Sequence, residues 1–323
     1  MTQLKTTFAG LSLRNPIIIS SSSLTNSAEK NKKLELAAPE PLFEISFEEQ
    51  IMMEAHHMAT YGSPEGDDYL STYVRSHALN EYISLIEQTK KLCTIPVIAS
   101  INCFSNSEWT DFARTVEAAG ADALEINILS LQTEKEYQYG SFEQRHIDIV
   151  SSIKKQISIP VIVKLGSNLT NPIALINQLY ANGANAVVLF NRFYQPDINI
   201  DTMTYSAGDV FSTPADLSNG LRWTAIASAQ VPQTDYAISG GVHDGKAIVK
   251  AILAGASAVE LCSVIYQRGN QAIADMTNEM TQWMNRQGYK DISEFKSSMN
   301  ALSTGASNPF ERTQFMKYFS SKE

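Results

Sequence analysis

Eight short apolar runs, separated mostly by helical patterns, constrain the fold of this chain most strongly. They occupy residues 17–20, 41–46, 95–100, 123–126, 159–164, 186–190, 236–239 and 258–261. Apolar runs of this length, bounded by turn residues, are typical of strands in a parallel sheet covered on both faces. Alternation of strands with helices predicts right-handed crossovers, and eight such units predict a closed (β/α)8 barrel, or TIM barrel. An open doubly wound sheet is the alternative, because periodicity does not prove closure.

The helical patterns carry their own start and packing signals. Asn171 followed by Pro172 predicts an N-cap with a proline in the first turn. Ser141 with Gln144 fits a capping box. One helical face is predicted to be buried, and it consists of Phe142, His146, Ile149, Val150 and Ile153.

Composition excludes several classes of partner. The chain has 323 residues, of which 44% are hydrophobic, and this suffices for a sizeable core. The formal charge is 25 − 34 = −9, which argues against nucleic acid or an anionic membrane as a partner. No apolar stretch reaches the length of a membrane span, and the first residues lack the apolar core of a signal peptide.

The cysteines favour a reducing compartment. Cys93, Cys103 and Cys262 are scattered and form no CxxC pair, so we expect neither a disulfide framework nor a zinc site. Together with the missing signal sequence, this pattern predicts a cytoplasmic protein without a metal centre.

The whole chain, 1–323, is predicted to be one domain, with a polar tail (288–323) forming short helices outside the barrel. Two segments are longer than the connections that a minimal barrel needs. Residues 55–75 are expected to form a loop over the carboxyl-terminal mouth, and 192–219 to form another long excursion between the sixth and seventh strands. Long loops in compact domains are commonly functional.

Polar residues end several of the predicted strands. Lys164 closes the run 159–164, while Asn102, Asn127 and Asn191 follow other runs. Because the carboxyl ends of barrel strands meet at one rim, these side chains are expected to surround one ligand. A lysine there could offset negative charge on a flavin, form a Schiff base, or simply reach solvent at the edge of the strand. The three amides, which both donate and accept hydrogen bonds, suit a heterocycle.

A second set of residues predicts an anion site. Gly240 and Gly241 follow the seventh strand, and Cys262 and Ser263 follow the eighth. Barrels commonly bind phosphate in these two loops, where glycine lets backbone N–H groups approach the oxygens. A tight turn alone would also explain the glycine pair.

Two further residues are candidates with an equally good structural explanation. Glu44 is an acid inside the second apolar run, where burial would raise its pKa unless it is paired, and Lys164 is one possible partner. Ser130 lies in the loop after Asn127 and could act as a base or nucleophile only if a neighbour activates it. Otherwise it is a solvated loop serine.

These residues resemble those of the dihydroorotate dehydrogenases, FMN-dependent (β/α)8-barrel enzymes of pyrimidine biosynthesis. The similar stretches, over most of the chain, are Asn15-Pro16, Ser20-Ser21-Ser22, 159–164, Asn191, 239–242 and Cys262-Ser263. Stretches 47–51, 189–197 and 221–223 are similar to bacterial proteins usually labelled dihydroorotate dehydrogenase-like. The resemblance implies hydride transfer from dihydroorotate to FMN in a cytoplasmic enzyme that is a homodimer.

The resemblance also implies roles for individual residues. Lys164 would contact the flavin N1/O2 edge and stabilise the reduced anion, and Ser130 stands in the place of the base that removes a substrate proton. The FMN-binding residues would be Ser20, Ser21, Asn102, Asn127, Lys164, Asn191, Gly240, Gly241, Cys262 and Ser263. The residues at the substrate would be Glu44, Asn127 and Asn191.

Two departures from the family bear on the substrate. The Pro-Asn that follows the family's base is absent after Ser130, and Glu44 stands where the family has a lysine on the second strand. A partly buried acid would repel the carboxylate of orotate by about 1–4 kcal/mol. FMN binding is therefore predicted more firmly than the substrate. An FMN oxidoreductase for another small molecule, or a phosphate- or nucleotide-binding barrel without redox turnover, are the alternatives.

Overall fold

A closed barrel of eight parallel strands forms the centre of the molecule, as predicted. The computed structural model describes residues 2–37, 42–46, 79–102, 106–193, 195–303. The barrel strands are β3 (Ile17–Ile19), β4 (Leu42–Ser46), β5 (Val97–Ile101), β6 (Ala123–Ile128), β7 (Val161–Gly166), β8 (Ala186–Asn191), β11 (Asp235–Ser239) and β12 (Ala258–Leu261). They pair in the order β3-β4-β5-β6-β7-β8-β11-β12, and β12 returns to β3.

Helices surround the barrel and bury apolar faces against its outer surface. They span Ala28–Ala37, 79–92, Asn106–Ala118, Ser141–Lys154, Pro172–Ala181, Leu217–Gln230, Gly245–Ala254, Ser263–Arg268 and Gln271–Gln287, with 3-10 turns at Pro214–Asp216 and Ile292–Glu294. The predicted buried face of helix Ser141–Lys154 is confirmed, since the same five side chains are its buried residues. Within the described part of the chain, no helix has the length and apolar character needed to cross a membrane.

The two predicted helix starts have different outcomes. Asn171 caps the helix Pro172–Ala181, because its side chain accepts a hydrogen bond from the N–H of Ala174, and this prediction is confirmed. The capping box at Ser141 is wrong. Gly140 is the N-cap of that helix and makes no side-chain cap, while the Gln144 amide donates to Asp148 at 2.8 Å, one turn further along.

A hairpin of β1 (Thr6–Phe8) and β2 (Leu11–Leu13) packs into the amino-terminal end of the barrel. Phe8 and Leu13 are buried in one cluster with interior strand residues such as Ile98 and Ile162. Two hydrogen bonds hold the hairpin there: the N–H of Ala9 donates to Asp235 at 3.0 Å, and the Thr6 hydroxyl donates to the Ser257 carbonyl at 3.1 Å. The hairpin therefore plugs this end of the interior.

The long excursion predicted between the sixth and seventh strands has secondary structure of its own. It contains an antiparallel hairpin of β9 (Pro196–Asn199) and β10 (Thr204–Ala207), which stands outside the barrel sheet. The loop predicted at 55–75 lies outside the described residues.

Of the predicted tail, residues 288–303 are described. They run against the helix Gly245–Ala254, where the N–H of Ser297 donates to the Ile252 carbonyl at 3.0 Å. The single-domain organisation of the whole chain stays a prediction.

Candidate active site

The interior of the barrel changes character along its axis. On five strands, an apolar residue is followed two positions later, in or directly after the strand, by a polar one, so both point into the barrel. The apolar members, here called the apolar floor, are Ile18, Ile98, Ala123, Ile162 and Ala258. The polar members, here called the ionic layer, are Ser20, Ser100, Glu125, Lys164 and Glu260. Since all the strands are parallel, the ionic layer lies nearer the mouth.

The ionic layer is a connected network around Lys164. The Nζ of Lys164 lies 2.7 Å from Oε2 of Glu260 and 3.5 Å from Oε1 of Glu125. Nζ also donates to the Ser20 hydroxyl at 3.2 Å, and that hydroxyl donates to Glu260 at 3.2 Å. The hydroxyl of Ser100 donates to Glu125 at 3.0 Å. Buried charges are retained when opposite charges and hydrogen bonds stabilise them, and both conditions hold here.

The burial of Lys164 excludes one of the three interpretations of its sequence position, a lysine that reaches solvent. Its residue surface is only 4% exposed, so it does not reach bulk solvent at the strand edge. Its partners among the described residues include Glu260, Glu125 and Ser20, none of which was predicted as a partner. Glu44 lies in β4 in register with Ile98, but its side chain lies outside the described residues, so its predicted contact with Lys164 stays a prediction.

Two predicted amides meet above the ionic layer. The side-chain nitrogen of Asn191 donates to Oδ1 of Asn127 at 2.8 Å, and Oδ1 of Asn191 accepts from the N–H of Arg192 at 2.7 Å. The guanidinium of Arg192 in turn donates to the Val210 carbonyl at 2.7 Å. These contacts fix the orientation of both amides at the carboxyl ends of β6 and β8, the two strands that flank β7.

The two predicted glycines have the backbone that glycine alone adopts readily. Gly240 has φ +89° and Gly241 has φ +75°. A Cβ on Gly241 would lie 2.1 Å from the backbone nitrogen of Leu217, whereas a Cβ on Gly240 would project into open space. Neither glycine N–H donates to an acceptor among the described residues. The loop thus has two backbone donors without an acceptor among the described residues, and Gly240 borders open space.

Ser263 stands beside this loop at the start of a short helix. Its hydroxyl accepts from the N–H of Ser212 at 2.9 Å, and the Ser212 hydroxyl lies 3.1 Å from Nε2 of His243. The excursion after β8 is thereby tied to the loops after β11 and β12, which brings three loops together at one side of the mouth.

A single cavity of about 1340 Å³ joins the lysine, the amides and the glycines. The predicted residues that line it are Ser20, Ser21, Asn127, Lys164, Asn191, Gly240, Gly241, Cys262 and Ser263. Residues far apart in sequence thus converge on one space, as the closed barrel predicts. A cavity of this size exceeds the roughly 300–1,000 Å³ usual for small-molecule sites. It has room for a cofactor and a second small molecule.

Two predicted residues, Asn102 and Ser130, do not line this cavity. Asn102 follows β5 but does not line the cavity. Ser130 is also absent from the lining, and its hydroxyl accepts from the Gln132 side chain at 3.1 Å. The side chain of Glu44 lies outside the described residues. The roles assigned to these three residues stay predictions.

Sequence reasoning missed four residues that the structure brings to the site: Glu125, Glu260, Arg192 and Ser212. A signal existed for the two acids, because Glu125 and Glu260 interrupt apolar strand runs at alternate positions that face one side. No comparable signal marked Arg192 or Ser212, which lie in the long excursion. In the portions of the chain with described coordinates, no three His, Cys, Asp or Glu residues cluster as metal ligands would.

Comparison with known proteins agrees with the fold and with this site. The family model described as "Dihydroorotate dehydrogenase" matches residues 61–284. The catalytic subunit of dihydroorotate dehydrogenase B (NAD(+)) from Thermoplasma volcanium is 26% identical over 305 residues, which cover 91% of this chain and 97% of the relative. The protein of the same name from Methanocaldococcus jannaschii is 25% identical over 293 residues, covering 87% of this chain and 93% of the relative.

The family match spans more than half of the chain and includes most of the residues that line the cavity. The predicted family resemblance is confirmed. This chain belongs to the dihydroorotate dehydrogenase family of oxidoreductases, which act on CH–CH groups.

Proposed function

We propose that the cavity binds FMN and that the protein oxidises dihydroorotate, or a close relative of it, in pyrimidine biosynthesis. The observation that carries this proposal is the convergence of Lys164, the amide pair and the Gly240–Gly241 loop on one cavity. Each group suits a different part of the cofactor. The family membership supplies the reaction type.

The phosphate of FMN would lie against Gly240, Gly241 and Ser263. Two backbone N–H groups with no acceptor among the described residues, in a loop that lines the cavity, suit an anion with several oxygens. The hydroxyl of Ser263, which already accepts from Ser212, retains its own proton to donate. The chain's own donors therefore fit the phosphate.

The ring system would lie over Lys164, with Asn127 and Asn191 at its polar edge. Bound FMN would supply the hydride acceptor for the reaction. The ammonium of Lys164 would offset negative charge at the pyrimidine end of the ring, and the linked amides would orient ligand carbonyl and N–H groups. The apolar floor and the plug hairpin exclude water from below the ionic layer.

The test of this function starts with the purified protein. We expect a flavin absorption band, released as FMN on denaturation, that bleaches anaerobically when dihydroorotate is added. Bound flavin that does not bleach would contradict dihydroorotate as the substrate. Colourless protein that cannot be reconstituted with FMN would overturn the flavoenzyme proposal and favour a barrel without redox turnover.

The phosphate cradle has a matched pair of variants. Gly240→Ala adds a methyl group on the cavity side at φ +89°, and we expect at least tenfold weaker FMN binding in a fluorescence titration. Gly288→Ala imposes comparable backbone strain at φ +81°, at a helix end away from the cavity. It should leave the FMN affinity unchanged. Equal losses in both variants would mean that strain, and not the cradle, sets the affinity.

One observation favours a second candidate, a flavoenzyme for a different small molecule. The charge of Lys164 is engaged by two buried carboxylates, and Ser130 does not line the cavity. This arrangement suits a neutral substrate better than an anionic substrate whose proton is removed by Ser130. A screen of neutral cyclic donors and acceptors against the reduced or oxidised protein separates the two candidates.

The electron acceptor and the assembly complete the proposal. The relatives are named as catalytic subunits with NAD(+), so NAD⁺ is the acceptor to test first, with and without a partner flavoprotein. We also propose a cytoplasmic location, in line with the scattered cysteines, and a homodimer, which the family resemblance implies. Light scattering of the purified protein checks the dimer.

A further inference from the structure

We propose that Glu260 is a positioning residue that holds Lys164 and, through its negative charge, lowers the midpoint potential of FMN in this cavity. The inference rests on the proposed FMN function and adds to it a residue that sets the energetics of the cofactor. It starts from the contact between Lys164 and Glu260, which at 2.7 Å is shorter than the 3.5 Å contact between Lys164 and Glu125.

Glu260 contacts Lys164 from a strand on the other side of the barrel interior. Lys164 is on β7 between β6 and β8, whereas Glu260 is on β12, which is not adjacent to β7 in the barrel. The contact therefore spans the interior and draws the ammonium toward the barrel axis. The Ser20 hydroxyl accepts from Lys164 and donates to Glu260, so it links the same two side chains and helps to fix the position of the ammonium.

The charge of Glu260 also reaches the ligand directly. Glu260 and Lys164 both line the cavity, while Glu125 belongs to the same layer but does not line it. A ligand above the layer therefore faces the ammonium together with a carboxylate at 2.7 Å from it. Opposite charges this close present a weak net field, so the lysine offsets less ligand charge than it would alone.

The charge of Glu260 affects the binding of reduced FMN more than the binding of oxidised FMN. Lys164 can stabilise reduced FMN because reduction adds negative charge at the ring edge. Glu260 opposes this stabilisation, so it weakens binding of the reduced form relative to the oxidised form. By linkage, the ratio of the oxidised to the reduced dissociation constant sets how far binding shifts the midpoint potential from that of free FMN. Glu260 lowers this ratio, so it makes the bound flavin a stronger electron donor.

The test removes the negative charge of Glu260 and keeps the shape of its side chain. In the Glu260→Gln holoprotein, we expect the ratio of oxidised to reduced FMN dissociation constants to rise at least tenfold, a shift of about +30 mV for a two-electron couple. Equilibration with redox dyes under anaerobic conditions measures it. A purely structural role would weaken both oxidation states equally and leave the potential unchanged, which would overturn the inference.

Two further variants use the same Glu→Gln change. Glu125→Gln, at 3.5 Å from Lys164 and off the cavity lining, should raise the potential by a smaller amount. Glu279→Gln, which loses only a surface contact to the N–H of Gly245, should not shift it. If Glu260→Gln does not fold, Glu125→Gln decides, and a potential unchanged from wild type contradicts the proposal.

The wild-type protein separates the two possible failures. Wild-type protein that binds no FMN overturns the proposed function and this inference together. Wild-type protein that binds FMN, with equal potentials in all the variants, overturns the role of Glu260 and leaves the proposed function standing.

Discussion

The apolar floor and the ionic layer use the same strands and differ by a step of two residues. On β7, Ile162 lies in the floor and Lys164 lies in the ionic layer; on β12, Ala258 and Glu260 stand in the same relation. Both levels are almost fully buried. One is held by dispersion and the hydrophobic effect alone, and the other by charges that must satisfy one another.

The difference shows how this barrel separates stability from chemistry. The floor, closed by Phe8 and Leu13 of the plug hairpin, tolerates changes that conserve volume, because its contacts are not directional. The ionic layer depends on geometry, because each charge is satisfied by named partners across the interior. Mutations at the two levels should therefore differ in size and in what they disturb.

The largest effect is expected from Lys164→Leu. Removal of the ammonium leaves Glu125 and Glu260 buried without it, and breaking a buried ion pair in this way costs about 3–5 kcal/mol. Urea unfolding without added FMN measures the loss in the free energy of unfolding. The double variant Lys164→Leu with Glu260→Gln should recover part of it. No loss in the single variant would show that the layer is not a coupled unit.

A smaller effect is expected from a buried polar group outside the barrel. His146 is fully buried on the helix Ser141–Lys154, and burial lowers its pKa below the ordinary value of 6.5. As pH falls below 6.5, the unfolded state gains a proton first, so stability falls until the pH passes the pKa of the folded state. The slope is at most about 1.4 kcal/mol per pH unit.

Unfolding of the wild type and of His146→Asn at pH 7, 6 and 5 isolates this contribution. The asparagine can keep a contact with the Phe142 carbonyl, which the histidine Nδ1 makes at 2.7 Å. The variant should lose less stability over this range. Parallel curves would assign the pH dependence to other groups, the ionic layer among them.

The smallest effect is expected from Ile162→Val in the floor. The loss of one methylene should lower the free energy of unfolding by about 0.5–1.5 kcal/mol. Since Ile162 lies one level below Lys164 and does not line the cavity, the FMN affinity should stay within twofold of wild type. A large loss of FMN affinity would mean that the apolar floor and the ionic layer are coupled.

The sequence predicted the fold well because the signal was local. All eight apolar runs became barrel strands, and polar or glycine residues at the ends of six of them line one cavity, as the parallel arrangement requires. Turn chemistry was predictable for the same reason, as Gly240 and Gly241 show. Where competing local signals existed, as at Ser141, the capping residue was misjudged by one position.

The partners of Lys164 could not be predicted in this way. Glu260 is 96 positions further along the sequence, and its contact depends on barrel closure and on the register of β12. Two acids at interior positions were visible in the sequence, but periodicity says only that they face inward, not which lysine they meet. The neutralisation of the lysine charge is a tertiary property.

The plug hairpin has a kinetic consequence. With the amino-terminal end of the interior filled by Phe8 and Leu13, the described part of the barrel opens only at its carboxyl-terminal mouth. A substrate and the product formed from it then pass through the same mouth, so two ligands that bind at the same place occupy it alternately. Steady-state kinetics with two substrates should then give parallel double-reciprocal lines, the pattern of alternating occupancy.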